Sequence, residues 1–289
     1  MISQEELREI QLVQLQIMDE IHRVCVKNQI KYYLIGGSAL GAVRHKGFIP
    51  WDADIDIALP RKDYERFVLE CSKELNDQLV CEDYRSNPRH RVPHALVILK
   101  DSKMVYKTDH LQIPIFVDLL PLDQVPADEI RQQKQEKRLN RIKKIINIKR
   151  LPIYTQNNLF VRSIKHIIHI ILTPLSLRWL NERQQDIAQM YDSLPEAECP
   201  LCCSTLSHYR YSKLCMDKRV FGFPVLAEFE GRKYYVPSKI IDYLTHLFGD
   251  YMKLPPDEEQ DKERKLILRA EWTIGNKITR IENNVSALE

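Results

Sequence analysis

The sequence predicts an α+β fold: a mixed sheet flanked by helices over residues 1–125, a mostly helical appendage over 126–195, and a third part, 196–289. Three observations lead there. Apolar runs of strand length recur between turn residues in the first 125 positions. Helical periodicity occupies Gln4–Asn28 and Arg61–Lys73. The chain then changes to basic and apolar helical patterning. With 44% hydrophobic and 29% charged residues, 289 residues suit a soluble globular protein of one large domain or one with an appendage. A net charge of +3 is too small to point to nucleic acid as a partner. Seven cysteines, an odd number at low density, suit a reducing compartment. The polar, acidic N-terminus lacks the basic-then-apolar pattern of a signal peptide, so a cytoplasmic location is expected.

The first element, Gln4–Asn28, carries Leu7, Ile10, Ile17, Ile21 and Val24 at helical spacing, interrupted by Gln14, and reads as a core-facing helix. Tyr32–Ile35 reads as a short strand running into Gly36-Gly37-Ser38 and a helix through Arg44. Glycines at a strand-to-helix turn let a ligand approach the backbone, and N–H groups at a helix start face an anion. Ser38 is expected to cap that helix and to donate to a phosphate oxygen.

Next comes Trp51-Asp52-Ala53-Asp54-Ile55-Asp56-Ile57-Ala58-Leu59. On a strand, Asp52, Asp54 and Asp56 share one face and Ala53, Ile55 and Ile57 the other. Three like charges on one face repel and are costly to desolvate. Mg²⁺ or Mn²⁺ bridging to a substrate phosphate would neutralise them; a solvated edge strand is the plain alternative.

After Pro60 a helix is expected over Arg61–Lys73, then strands at Leu79–Tyr84, Ala95–Leu99 and Ile113–Leu120. Asp118 lies inside the last apolar run, where a lone carboxylate needs an Arg or Lys partner or a metal. Asp123, after Pro121, reads as a turn or helix cap. Arg131–Arg150 carries nine Lys or Arg and one acid, with Leu139, Ile142, Ile145 and Ile146 on one side. Phe160–Leu180 has no acid, and its apolar core is too short to span a bilayer. This pair suits the surface of an anionic membrane, or else a helical subdomain with a solvated basic face. Cys199, Cys202 and Cys203, with His208 and Cys215 beyond, match no standard zinc spacing well. The tail beyond Asp257 reads as charged and helical up to Leu268, with a dispensable end.

The stretch Tyr33–Phe67 resembles the LicD family of phosphotransferases, which are related to fukutin and fukutin-related protein. The shared pattern runs from Gly36-Gly37 through Leu40-Gly41-Ala42, Arg44-His45 and Pro50-Trp51-Asp52 to Asp54 and Asp56. It continues at Leu99–Ser102, Phe116–Asp118, Pro121–Asp123, Phe229–Gly231 and Phe248–Pro256. Ala53 stands where the family usually has an Asp; by alternation it faces away from the metal side. The resemblance implies a nucleotidyltransferase-like fold whose third part completes the substrate cleft. It also implies metal-dependent transfer of a phospho-substituent to a sugar hydroxyl of a surface glycan such as teichoic acid, capsule or lipopolysaccharide. The donor would be CDP-choline, or CDP-ribitol or CDP-glycerol, with release of CMP and an acceptor on a lipid carrier at the inner membrane face. Asp54, Asp56 and Asp118 match the metal-binding and catalytic carboxylates, with Asp118 completing the metal site or accepting the acceptor's proton.

In that frame Gly36, Gly37 and Ser38 would cradle phosphate, and Arg44, His45 and Lys46 would hold the diphosphate or form a solvated helix end. Lys100 would reach the phosphates or snorkel, and Asp52 would contact substrate or support the site. A choline head group would want aromatic residues: Trp51 first, with Tyr32, Tyr33, Tyr84, Tyr209, Tyr211, Tyr234 and Tyr235 as further candidates. A nucleotidyltransferase releasing pyrophosphate and a non-catalytic scaffold are the competing readings.

Overall fold

The structure is a computed structural model, and it describes residues 2–88, 90, 92–107, 111–150, 170–207, 209–256, 260 and 266–282. In chain order the elements are α1 (Gln4–Lys27), β1 (Tyr33–Leu34), α2 (Gly36–Arg44), β2 (Asp56–Pro60), α3 (Arg61–Leu69), β3 (Leu79–Glu82) and β4 (Ala95–Leu99). Then come β5 (Ser102–Tyr106), β6 (Gln112–Ile113), β7 (Phe116–Val125), α4 (Glu129–Arg150), α5 (Leu177–Ala188), β8 (Leu201–Cys203) and α6 (Tyr211–Leu214). The last are β9 (Met216–Asp217), α7 (Lys218–Phe221), β10 (Val225–Phe229), β11 (Arg232–Val236), α8 (Ile240–Phe248), β12 (Ile267–Ile274) and β13 (Lys277–Glu282).

The fold is α+β. The main sheet runs β1-β2-β7-β4-β3, and β8 and β9 continue it from the far end of β7. Only β2 and β7 pair in parallel; the other ladders are antiparallel. A second sheet, β13-β12-β5-β6, joins residues near 100 to the last strands, and β10-β11 forms a hairpin. Sheet structure therefore reaches well past residue 125: β8 and β9 join the main sheet, and β12 and β13 join the second, all from the third part of the chain. Ile267 and Leu268 belong to β12 rather than to a helix; most of the preceding tail lies outside the described residues.

Helix α1 starts at a capping box, with Ser3 Oγ accepting from Glu6 N–H and the Glu6 carboxylate accepting from Ser3 N–H. Its apolar stripe is buried across β4 and β7. The polar interruption has a purpose: buried Gln14 donates to the Ala53 carbonyl at 2.7 Å, and Gln11 donates to the Asp52 carbonyl at 2.8 Å. Helix α2 begins at Gly36, earlier than expected, with Ile35 as its cap residue and no side-chain cap bond. Helix α3 ends at Leu69 and is followed by a single 3₁₀ turn.

Asp123 is not a cap. It lies within β7, fully buried, where it accepts from Arg61 Nε at 2.6 Å and Thr205 Oγ1 at 2.5 Å. Pro121 fits inside the strand because position 121 faces away from β2, between the β4 pairing that ends at Leu119 and the β8 pairing that begins at Asp123, so no ladder bond is lost. The apolar side of α4 (Leu139, Ile142, Ile146) is buried against α5 and the β8 region, so that stripe is used inside the protein. Its outer face carries exposed Arg131, Lys134, Lys137, Arg138, Arg141 and Lys144. Among the described residues no helix is long and apolar enough to cross a membrane; of the run Phe160–Leu180, residues 160–169 lie outside them. Cys202 and Cys203, adjacent on β8, point into two different apolar clusters, so the two thiols face apart. Burial pushes the Cys202 thiol up to about 12. Among the described residues no His or Cys group gathers as a metal site, and His208 lies outside them.

Asp123→Ala leaves the Arg61 guanidinium, 8% exposed, without its buried counter-ion. The expected cost is about 3–5 kcal/mol, read as a lower urea midpoint at unchanged slope.

Candidate active site

The carboxylates are brought together by strand register. In the parallel β2–β7 pair, Asp56 lies directly opposite Asp118. The ladder extends one step further back, with Asp118 N–H donating to the Ile55 carbonyl at 2.9 Å, and alternation returns Asp54 to the same face. One oxygen from each of Asp54, Asp56 and Asp118 lies within 4.8 Å of the others. At an effective dielectric of about 20, each such pair repels by about 3 kcal/mol, so the set favours a cation. Three carboxylate oxygens at this spacing are the donor set a hard divalent cation takes, and the residues fit Mg²⁺ or Mn²⁺.

Asp118 has a second partner that the sequence did not single out. His94, just before β4, places Nε2 2.6 Å from Asp118 Oδ1, and both side chains are nearly buried. A carboxylate accepts only, so Nε2 carries the proton of this bond. His94 is held in turn by His90, whose Nε2 lies 2.7 Å from the His94 carbonyl. An imidazole N–H fixing one carboxylate oxygen while the other is turned to a metal is a recurring support for metal ligands.

The Gly-Gly-Ser turn serves the carboxylate strand directly. Gly36 has φ +53°, and a Cβ there would stand 3.4 Å from Asp56 Oδ2. A Cβ on Gly37 would collide with the Asp52 carboxylate. Ser38, buried, accepts from Asp56 N–H at 2.9 Å, and the Asp56 carbonyl accepts from Ile35 N–H at 3.1 Å. Both backbone groups of Asp56 are thus fastened to the turn. Gly36 N–H donates to the hydroxyl of Tyr243 on α8 at 2.9 Å, and burial raises that phenol's pKa.

A cavity of about 470 Å³ opens over the three carboxylates, a size suited to a nucleotide-sized ligand. Gly36, His94, Phe116 and the trio line it from the sheet side. Lys143, Ile146, Asn147 and Arg150 of α4 line it too, with Gln184 of α5, Ser204, Ser207 and Tyr209 after β8, and Tyr243 and Leu247 of α8. Residues 204–247 therefore form part of the cleft wall.

The other sequence candidates sit elsewhere. Arg44 donates to the carbonyls of Tyr251 at 2.8 Å and Lys253 at 3.4 Å, tying the segment after α8 to α2, and burial lowers its pKa. His45 meets Trp51 edge to face at 6.2 Å, and burial, then Arg44, lowers its pKa. Lys46 is exposed and accepts at its carbonyl from Glu230 N–H. Glu230 in turn pairs with Arg8 and accepts from Phe48 N–H, which accounts for the Phe229-Glu230-Gly231 motif as a brace on the loop after α2. Asp52 lies against Gly37, outside the carboxylate cluster, because a turn returns its N–H to the Ile49 carbonyl. Lys100 lies four residues beyond Leu96, the partner of Asp118, or about 13 Å along β4, with its ammonium on the Asp77 carbonyl. Of the candidate aromatics only Tyr209 lines the cavity, where Phe116 and Tyr243 join it. Ala53 is buried in the main core.

A divalent cation at a hundredfold its Kd should stabilise the wild type by about 2.7 kcal/mol through linkage. Asp54→Asn should abolish that rise in melting temperature while melting no lower than wild type in EDTA. His94→Ala should weaken Mn²⁺ binding by about 10–100-fold, measured by the spectrum of unbound Mn²⁺, with His94→Gln intermediate.

The comparisons with known proteins point to one family. Residues 29–138 match the family model described as "LicD/FKTN/FKRP, nucleotidyltransferase domain". The chain is 33% identical over 256 residues to the lipopolysaccharide cholinephosphotransferase LicD of Haemophilus influenzae, covering 88% of this chain and 94% of that protein. Shorter matches reach uncharacterized proteins of Rickettsia typhi (46% over 52 residues, 18% of this chain and 17% of that protein) and Rickettsia prowazekii (48% over 48 residues, 17% and 18%).

Proposed function

The chain belongs to the LicD family, and from that premise we propose that it transfers phosphocholine from CDP-choline to a sugar hydroxyl of a cell-surface glycan such as lipopolysaccharide, releasing CMP. The observation that carries this reading is the carboxylate trio at the floor of a nucleotide-sized cavity. The choline head group is favoured by the cholinephosphotransferase name of the Haemophilus relative and by the aromatic side chains Phe116, Tyr209 and Tyr243 on the same wall.

In this proposal Asp54, Asp56 and Asp118 hold Mg²⁺ or Mn²⁺. The cation, when bound, would neutralise charge on the donor diphosphate and make its phosphorus a better electrophile. The protein's own work is positioning. The acceptor oxygen forms a bond to the choline-bearing phosphorus as the bond to the CMP oxygen breaks. Asp118 takes the hydroxyl proton on the carboxylate that His94 orients. Gly36 leaves room beside Asp56 for a phosphoryl oxygen that a Cβ would obstruct. An acceptor on a lipid carrier would meet the exposed basic face of α4, where an anionic membrane surface would be attracted.

The test is CMP release from CDP-choline, CDP-ribitol and CDP-glycerol, with and without lipid-linked glycan. CMP is expected from CDP-choline, lost in EDTA and reduced at least a thousandfold in Asp56→Asn. Release from an alditol donor alone would replace the head group, pyrophosphate released from CTP with no CMP from any CDP donor would make the protein a nucleotidyltransferase, and full activity in Asp56→Asn would remove the metal assignment.

A further inference from the structure

The donor proposed above carries two negative charges on its diphosphate, and the three basic residues next to the Gly-Gly-Ser turn do not line the cavity. The cations that do line it come from α4. Lys143, Asn147 and Arg150 stand at i, i+4 and i+7, so they share one helix face. The rotation of α4 is set by Leu139, Ile142 and Ile146, which are buried against α5 and the β8 region. Lys143 is held in place by its bond from Nζ to the Ser207 carbonyl at 2.7 Å, and burial lowers its pKa, a cost that an arriving anion would offset. Beside it on the wall is Ser204, 4% exposed, whose buried Oγ has no hydrogen-bond partner among the described residues. A buried hydroxyl in that condition is a place for a ligand oxygen.

We infer that Lys143 and Arg150 of α4, with the Ser204 hydroxyl, form the diphosphate-binding pole of the cavity, facing a metal-binding pole made of the three carboxylates. The inference rests on the reading that the donor is a nucleoside diphosphate derivative. The charges match. Once a divalent cation has offset most of the trio, Lys143 and Arg150 supply two positive charges for the two on a diphosphate diester. Arg150 offers a planar fork to paired phosphate oxygens, and Lys143 a point charge. Both residues lie beyond position 138, where the family-model match ends.

Calorimetric titration of the full chain in Mg²⁺ with CDP, CMP and pyrophosphate tests this. Wild type is expected to bind CDP at least tenfold more tightly than CMP. Arg150→Gln and Lys143→Met should lose most of that preference, weakening CDP several-fold more than CMP, and Arg150→Lys should recover part of it. An unchanged CDP-to-CMP ratio in both variants overturns the pole. Should Lys143→Met lower the melting temperature through loss of the Ser207 bond, Arg150→Gln and Ser204→Ala carry the same measurement. Pyrophosphate and several nucleoside diphosphates binding alike, with the same loss in Arg150→Gln, would keep the pole and remove the cytidine donor. CDP-choline turnover with an unaltered ratio in the variants would keep the donor and remove the pole. A wild type that binds neither CDP nor pyrophosphate overturns the pole as well.

Discussion

One pairing governs the molecule: the parallel register that sets Asp56 against Asp118. Parallel strands in a sheet are normally apolar on both faces, and here two carboxylates face the same side at the start of the pair, with Asp54 added two residues earlier. Three like charges in a partly desolvated recess must be restrained, or the strand ends would splay apart. The restraints are local and numerous. Ser38 and Ile35 hold both backbone groups of Asp56, Gln14 holds the carbonyl of Ala53, and His94 holds an oxygen of Asp118. They come from three separate places, α1, the turn into α2 and the segment before β4, so the carboxylate geometry is over-determined.

This division of labour gives the Gly-Gly-Ser turn a second meaning. Gly36 is favoured by its left-handed backbone, a side chain on Gly37 would strike Asp52, and the serine faces inward to the strand. The turn and the carboxylate-bearing strand are one mechanical unit, and Tyr243 extends that unit to α8. Similarly, Arg44 and Glu230 clamp distant parts of the chain onto the loop after α2. Basic and acidic residues that look like substrate ligands in a local reading hold the site's frame.

The carboxylate trio was legible because a charge inside an apolar run is an exception that needs a cause. Asp118 stands out within Ile113–Leu120 for that reason, as do Asp54 and Asp56 by alternation. Asp123 carried the same signal, yet the proline before it pointed to a turn. Its partner Arg61 is 62 residues away, a distance no local pattern spans. His94 was illegible because histidine is tolerated in loops, and only the antiparallel β4–β7 register brings its neighbourhood to Asp118. Lys143 and Arg150 were hidden in a helix with nine basic residues, where the sequence does not tell the two that face inward from those in solvent. The strands after residue 200 are two to eight residues long, and the first of them are too short to show a period.

The β5–β12 pairing carries a consequence for how the chain comes into being. Strand β5 ends at Tyr106 and its neighbour β12 begins at Ile267, with buried Trp272 and Ala270 set against Ser102 and Met104. During synthesis the ribosome releases β5 long before β12, so one edge of β5 waits without its partner while residues 107–266 emerge. Closing a loop of that length is slow, and a strand edge exposed in the interval invites association with other chains. The nascent protein therefore carries an unpaired strand edge until its last strands are synthesised.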